Sequence, residues 1–305
     1  MNALAVNAVT KQYGDFRAVD GVSFEIEEGK MFGLLGPNGA GKTTTMRMIM
    51  NIIIPDTGSV EIFGGKFIEE TKNRVGYLPE ERGLYPKMKL LPQLTFLGEM
   101  KGLSAADAKS LAGEWLERFD LSKWSNNKIN DLSKGMQQKV QFIGTIMHSP
   151  DLLIVDEPFS GLDPVNAKFL KDILLELKGQ GKTIILSTHL MDQAEKLCDQ
   201  ICLINRGKVV LKGSIDEVKR EYSRNSVILE YNGNGAFIKS LPYVEKVDDY
   251  GNYMEIALKN QDYSEDLFQE IAKNALKVKR FEAAETSLND IFIDIIGGQN
   301  NEKAA

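Results

Sequence analysis

The chain has 305 residues, of which 43% are apolar and 26% are charged, and its formal net charge is −6. This length fits one domain of ordinary size with a smaller appendage, and the lack of a basic balance disfavours a protein that works on nucleic acid. No apolar run approaches the roughly 18 residues that span a bilayer, so at a membrane other chains would have to provide the spanning segments.

The first part of the chain, to about residue 220, alternates short apolar runs with longer helical patterns. Met136, Val140 and Ile143 show the three-to-four spacing of a helix that buries one face. The short runs are almost wholly apolar, as in parallel strands covered on both faces. They are Met31–Leu35, Leu152–Val155 and Thr183–Leu186. The alternation predicts an α/β domain with a largely parallel sheet.

After the polar segment Glu221–Ser226 the pattern changes, and we expect a small separate α+β domain over residues 225–298. Residues 299–305 are predicted to be a frayed tail. The predicted strands lie at Val227–Tyr231, at Tyr253–Leu258 and near Val278. The predicted helices are Ser264–Ala275 and Ser287–Ile296, the second with Leu288, Ile291, Phe292 and Ile295 on one face.

Two cysteines, Cys198 and Cys202, stand four residues apart without a second pair. This pattern favours two reduced thiols over a metal or disulfide site. Together with the absence of a signal-peptide pattern, it leads us to expect the chain in a reducing cytosol.

The first strand, Met31–Leu35, leads into a glycine-rich loop, Gly36–Thr43, with the pattern GxxxxGK[ST]. The glycines let backbone N–H groups turn inward and surround phosphate oxygens, and the following helix adds the positive end of its dipole. Lys42 is expected to reach the β- and γ-phosphates and the Thr43 hydroxyl to ligate Mg²⁺. The predicted nucleotide-binding residues are Asn38, Gly39, Ala40, Gly41, Lys42, Thr43 and Thr44.

The apolar run Leu152–Val155 ends in Asp156 and Glu157. A buried parallel strand delivers its last residues to the carboxyl edge of the sheet, where ligands of α/β proteins bind. Asp156 is therefore a candidate to hold Mg²⁺, and Glu157 is a candidate to polarise an attacking water. Alone, such a pair is more often a solvated strand end, but it gains meaning beside a phosphate loop.

The two histidines receive different predictions. His189 follows the strand-like run Thr183–Leu186 and is expected at the same sheet edge, hydrogen-bonded to the γ-phosphate and the attacking water. His148 ends a helical pattern before Ser149 and Pro150, so a capping or surface role is expected for it.

Over about residues 1–219 these motifs resemble, in order and spacing, the ATP-binding cassette (ABC) family. Leu132–Gln138 resembles the family signature, so the resemblance implies that Ser133, Lys134, Gly135 and Met136 contact the nucleotide of a second cassette. Asp163 in Ser160–Asp163 resembles the D-loop residue at that dimer seam. Tyr13 resembles the aromatic residue on which adenine stacks, although a simple surface aromatic is the alternative.

Two positions depart from the usual family pattern. Lys134 and Met136 replace Gly and Gln in the signature, and Glu80 stands where the family usually has Gln. Glu80 is predicted as a further Mg²⁺ ligand, which would make hydrolysis depend more steeply on Mg²⁺. The segment Tyr77–Tyr85 and the C-terminal Thr286–Phe292 resemble the sodium-extrusion (Nat-type) branch, whose cassettes pair with ABC-2-type membrane subunits.

The resemblance implies a P-loop ABC cassette fold, with a largely parallel core sheet, an antiparallel β portion and a helical subdomain, followed by a small α+β domain. It implies an ATPase that uses ATP and Mg²⁺ and works as a homodimer with multi-pass membrane permease subunits, at the cytoplasmic face of the cell membrane. Sodium efflux is one candidate for the transport. The alternatives are a soluble cassette protein acting on ribosomes or nucleic acid, and a regulator that binds ATP without turnover.

Overall fold

A computed structural model describes residues 1–81, 83–222, 225–260, 262–274, 276–284 and 286–301. The chain divides into two compact units, Met1–Ile215 and Asp216–Ala305, a few residues before the predicted boundary at 220. Within the described ranges, no helix is both long enough and apolar enough to cross a membrane.

The first unit is an α/β structure whose elements are mostly short. Its strands are β1 (Asn2–Tyr13), β2 (Phe16–Glu27), β3 (Met31–Leu35), β4 (Thr57–Ile62), β5 (Val75–Leu78), β6 (Leu152–Asp156), β7 (Thr183–Thr188), β8 (Gln200–Asn205) and β9 (Lys208–Ser214). Its helices are α1 (Lys42–Ile49), α2 (Glu69–Arg74), α3 (Leu90–Glu99), α4 (Ala105–Arg118), α5 (Lys134–Ile146), α6 (Pro164–Gly179) and α7 (Met191–Leu197), and α8 (Ile215–Glu221) begins at the division.

A six-stranded sheet in the order β5-β6-β7-β3-β8-β9 forms the centre of this unit. Its first five strands are parallel and β9 pairs antiparallel with β8, so the prediction of a largely parallel sheet is confirmed. Every residue of β3, β6 and β7 is buried, which explains why these strands are apolar runs without alternation. Their carboxyl ends lie side by side at one edge of the sheet.

A second, antiparallel sheet in the order β2-β1-β4 packs on the first across an apolar core. Phe24 of β2 stacks on Phe32 of β3, with 5.0 Å between ring centroids. Met46 of α1 is fully buried in the same core. The helix that follows the phosphate loop is thus fixed between the two sheets.

Helices α3, α4 and α5 form the predicted helical subdomain. Phe119, just after α4, packs against Phe142 of α5 and edge-on against Phe169 of α6. Gly98 of α3 allows a close approach to α4, because a Cβ atom there would lie 2.9 Å from the Cβ of Ala108.

The second unit is a four-stranded antiparallel sheet with helices. The strands are β10 (Ser226–Asn232), β11 (Val244–Asp249), β12 (Tyr253–Leu258) and β13 (Lys277–Ala284), in the order β11-β12-β10-β13. The helices are α9 (Tyr263–Lys273) and α10 (Leu288–Asn301). Leu229, Ile256, Leu267 and Ile271 are among its core residues.

The elements predicted for this region are present, with small differences at their ends. The predicted helix Ser264–Ala275 ends at Lys273, and Ala275 lies outside the described residues. The predicted tail is partly helical, since α10 continues to Asn301, while residues 302–305 lie outside the described residues.

Both cysteines are free and buried, as the prediction of reduced thiols requires. Burial raises the pKa of Cys198 and that of Cys202 to about 12, so both are uncharged thiols at neutral pH.

Candidate functional site

The phosphate loop lies between β3 and α1, and two of its three glycines are required by close contacts. Gly36 has φ +147°, and a Cβ atom there would lie 2.1 Å from the carbonyl oxygen of Ile204. Gly41 has φ +109°, and its Cβ would lie 2.5 Å from the carbonyl oxygen of Ala18. The loop can therefore keep this path only with glycine at these two positions.

Lys42, at the start of α1, is buried with 6% of its surface exposed. Its ammonium group donates hydrogen bonds to the carbonyl oxygens of Gly36, at 2.7 Å, and Pro37, at 3.2 Å. Burial lowers the pKa of Lys42, and the nearby carboxylates, Glu157 first, oppose this change. The cation is thus held over the loop that would surround phosphate oxygens.

A cavity of about 280 Å³ opens above this loop. It brings together most of the residues predicted from the sequence, including three carboxylates from two other segments. Its lining consists of Phe16, Ala18, Asn38, Gly39, Ala40, Gly41, Lys42, Thr43, Thr44, Glu80, Asp156 and Glu157.

Asp156 and Thr43 meet in this cavity and have the groups that a Mg²⁺ ion needs. The Thr43 hydroxyl donates to Asp156 Oδ2 at 3.0 Å, while Oδ1 of Asp156 is buried without a hydrogen-bond partner in the described structure. Burial raises the pKa of Asp156, and the nearby carboxylates of Glu80 and Glu157 raise it further. A cation would neutralise this charge, so the donor set fits Mg²⁺.

No cluster of three or more His, Cys, Asp or Glu side chains among the described residues could hold a metal by itself. Mg²⁺ commonly keeps waters and phosphate oxygens among its ligands and takes only one or two from the protein. The carboxylate of Asp156, at the end of β6, and the hydroxyl of Thr43, at the start of α1, agree with such a site. The metal roles of Thr43, Glu80 and Asp156 stay predictions.

Glu157 follows β6 directly and forms a compact group with neighbours from β7 and α1. Its side chain is 8% exposed and its φ is +48°, a strained value of the kind often found at functional sites. Its Oε1 lies 2.8 Å from Nδ1 of His189 and 3.9 Å from the ammonium of Lys42, and its Oε2 accepts from the Thr188 hydroxyl at 3.3 Å. His189 is therefore placed to orient the Glu157 carboxylate.

The signature residues are placed as a helix start. Ser133 is the N-cap of α5 and accepts a hydrogen bond from the Met136 amide at 3.3 Å. Ser133 and Lys134 are exposed, and Gly135 and Met136 are half-buried. None of the four lines the cavity that holds the phosphate loop, so their proposed contact requires a nucleotide held by another chain.

Asp163 also caps a helix in this structure. Its carboxylate accepts hydrogen bonds from the amides of Val165 and Asn166, both at 3.0 Å, at the start of α6. These bonds hold the pKa of Asp163 below its usual value. Its D-loop role at a dimer seam stays a prediction.

Two aromatic residues flank the turn between β1 and β2, and the sequence reasoning selected only one of them. Tyr13 pairs with Phe16 across the hairpin, and both side chains are largely exposed. Phe16 lines the cavity, whereas Tyr13 does not. The signal available in the sequence was the second aromatic, three residues after the first.

The prediction of a capping or surface role for His148 is wrong. Both of its ring nitrogens are shielded from solvent, and burial lowers its pKa to about 4, with help from the charges of Lys101 and Lys182. The reason is that groups from distant parts of the chain, among them the backbone of Val75, surround the side chain. The residue takes no part in the cavity.

A family model described as ABC transporter matches residues 19–160, and a model described as the C-terminal domain of DrrA1-3-like ATP-binding proteins matches residues 213–296. The chain is 42% identical to the ABC transporter ATP-binding protein YhaQ of Bacillus subtilis, over 96% of this chain and 98% of that protein.

The Nod factor export ATP-binding protein I of Ralstonia nicotianae is 32% identical, over 96% of this chain and 94% of its own length. Among solved structures, an ATP-binding subunit of an ABC transporter is 33% identical, with a TM-score of 0.68, over 72% of this chain and 93% of that one.

Proposed function

The chain belongs to the family of ABC transporter ATP-binding subunits, and from this premise we propose that it hydrolyses ATP to drive export through separate membrane subunits. The observation that carries the proposal is the cavity in which Lys42, Thr43, Asp156 and Glu157 meet above the phosphate loop. The similarity to a Nod factor export protein along almost the whole chain supports export over import.

The reaction proceeds by attack of water on the γ-phosphate. The loop amides and Lys42 hold the phosphates, and Glu157 accepts the proton of the attacking water and aims it in line with the leaving group. His189, 2.8 Å from Glu157, fixes the direction of that carboxylate. Thr43 and Asp156 would hold a Mg²⁺ ion, which would supply positive charge to the phosphates. Electrostatic stabilisation and positioning provide most of the catalysis in such sites.

A second copy of the chain completes the site in this proposal. Ser133 and Gly135 lie at the N-terminus of α5, where backbone N–H groups are available to an anion, and they lie outside the cavity of their own chain. The signature of one copy then contacts the nucleotide of the other, so that ATP joins two cassettes and hydrolysis releases them. The assembly binds multi-pass permease subunits at the cytoplasmic face of the membrane.

Sodium efflux stays a prediction from the resemblance of Tyr77–Tyr85 and Thr286–Phe292 to one branch of the family. Within the first of these segments, Arg82 lies outside the described residues. Selectivity in such transporters resides in the membrane subunits, so the transported molecule is to be identified with them.

The proposal is tested by the mass of the Glu157→Gln variant in solution, because this change should stop hydrolysis while retaining ATP binding. Light scattering should give a dimer with Mg·ATP and a monomer with Mg·ADP. The variant Lys42→Ala serves as the control and should stay monomeric in both. A monomer of Glu157→Gln that has bound Mg·ATP would contradict the proposed two-copy site.

A further inference from the structure

The segment Pro79–Glu81, here called the Glu80 loop, joins β5 to the helical subdomain and places the Glu80 side chain in the nucleotide cavity. The same side chain lines a neighbouring cavity of about 370 Å³ together with Thr43 and Asp156. Glu80 is exposed, so packing contacts alone do not fix the position of its side chain. Something else must therefore hold this loop in place.

Gln141 of α5 holds the Glu80 loop in place through two hydrogen bonds. Its side-chain amide nitrogen donates to the carbonyl oxygen of Pro79 at 3.3 Å and to that of Glu81 at 3.1 Å. These two carbonyls flank Glu80 on either side. Both partners are acceptors, which fixes the amide orientation, since only the NH₂ group of glutamine can donate twice. Gln141 is 8% exposed, so these bonds are sheltered from water.

The backbone beneath the loop is fixed on the same helix by close packing. At Gly76 of β5 a Cβ atom would lie 2.6 Å from the carbonyl oxygen of Thr145, one turn after Gln141 on α5. Strand β5 thus lies directly against α5 immediately before it enters the Glu80 loop. A steric contact at β5 and the polar contacts at the Glu80 loop therefore both tie this segment to α5.

The start of α5 carries the signature residue Ser133 as its N-cap. Eight residues separate Ser133 from Gln141, which is about 12 Å along a helix. A displacement of α5 caused by contact at Ser133 would therefore pull directly on the carbonyls around Glu80. Helix α5 therefore connects Glu80, at the nucleotide of its own chain, with Ser133, which would contact the nucleotide of the second copy.

We propose that Gln141 is a positioning residue, which holds the Glu80 carboxylate in the nucleotide cavity and so sets the Mg²⁺ dependence of hydrolysis. The effect on Mg²⁺ dependence rests on the proposed function. The positioning of the Glu80 loop by Gln141 does not rest on it. Gln141 acts through the backbone of the Glu80 loop and contacts neither nucleotide nor metal.

The test compares Gln141→Met, which removes both hydrogen bonds at nearly constant volume, with Lys101→Met. Lys101 is a matched control because its ammonium also donates to two backbone carbonyls, those of Lys72 and Val75, both at 2.8 Å, at the opposite end of β5. If Gln141→Met fails to fold, Gln141→Asn, whose amide is one methylene shorter, takes its place with the same expected result.

The first readout is amide hydrogen exchange over Gly76–Leu78 in nucleotide-free protein, because these residues pair with β6 and lead directly into the Glu80 loop. We expect exchange to become about tenfold faster in Gln141→Met and unchanged in Lys101→Met, because one or two lost hydrogen bonds correspond to roughly that factor. Unchanged exchange in Gln141→Met, or an equal increase in Lys101→Met, would overturn the proposal. This readout requires no ATP, so it is independent of whether the chain is an ATPase.

The second readout is the Mg²⁺ concentration at half-maximal ATP hydrolysis. We expect about a fivefold increase in Gln141→Met, with near-normal kcat at saturating Mg²⁺, and no further increase when Glu80→Gln is already present. An increase that persists in the Glu80→Gln background would show that Gln141 acts by another route. Failure of the proposed function itself would appear differently, as absence of turnover in the unmodified chain.

Discussion

The two units of the chain differ most in what they bury. The first unit buries charged groups at the edge of its parallel sheet, among them Lys42, Asp156 and Glu157. In the described part of the second unit, Thr286 is the only buried polar residue and no charged side chain is buried. Buried charges cost stability unless they are paired. The cost is therefore concentrated where the chemistry is proposed, while the core of the second unit, as far as it is described, is almost wholly apolar.

The largest effect is expected from Glu157→Gln, which removes one of the buried charges of the first unit. Loss of the carboxylate that accepts the proton of water should lower kcat about 100-fold or more, because general-base catalysis contributes at least that factor. ATP binding should change less than about threefold. Steady-state hydrolysis and calorimetric binding check this. The control is Glu176→Gln, since Glu176 is a half-exposed carboxylate paired with Arg118 and should leave kcat unchanged.

The second prediction compares two equally apolar substitutions, Leu229→Ala in β10 and Leu153→Ala in β6. Both side chains are almost fully buried, so each should destabilise its unit by about 3 kcal/mol in urea unfolding. Only Leu153→Ala should also lower kcat, because β6 delivers Asp156 and Glu157 to the cavity. A loss of turnover in Leu229→Ala while the first unit stays folded would mean that the second unit contributes to the site.

The third prediction concerns the aromatic pair at the β1–β2 hairpin. Phe16→Ala should weaken ATP binding about 30-fold, because Phe16 lines the cavity and stacking of a base on an aromatic ring is worth roughly 1–3 kcal/mol. Tyr13→Ala should weaken binding less, because Tyr13 does not line the cavity. Tyr250→Ala, which removes an exposed aromatic of the second unit, is the control and should have no effect. The variant with the larger loss of affinity identifies the residue on which the base stacks. If neither hairpin variant weakens binding, the base is held elsewhere.

The smallest effect is expected from a buried group of the first unit outside the cavity. The pKa of His148 is lowered to about 4 from an ordinary value of 6.5, so the unfolded chain binds more protons between these pH values. Stability should therefore fall as pH falls from 7 to 5, by about 1–2 kcal/mol from this residue. In urea unfolding, His148→Gln should lose about 1–2 kcal/mol less stability than the unmodified chain between pH 7 and pH 5. An equal loss in both proteins would contradict the assignment.

Features that depend on adjacent residues could be predicted from the sequence. Strand Met31–Leu35 and the loop after it were placed correctly, because an apolar run followed by fixed glycines has few other structures. The strands ending at Asp156 and Thr188 were found for the same reason, and their pairing brings Glu157 and His189 together.

Features that depend on packing between distant segments could not be predicted. The link from Gln141 to the Glu80 loop joins residues about 60 positions apart, and nothing in the spacing of either segment points to the other. The burial of His148 likewise depends on segments far from it in the sequence, which bring Val75 and Lys101 near its ring. Phe16 was missed although it is close to Tyr13, because only the folded hairpin shows which ring lines the cavity.

The central claim, that this chain supplies ATP hydrolysis to a membrane exporter, is tested most directly by isolating the tagged chain from its native cells in mild detergent. We predict that a multi-pass membrane protein copurifies in stoichiometric amount and is absent from untagged cells. Copurification of ribosomal proteins or nucleic acid instead, from a preparation that still hydrolyses ATP, would contradict the account.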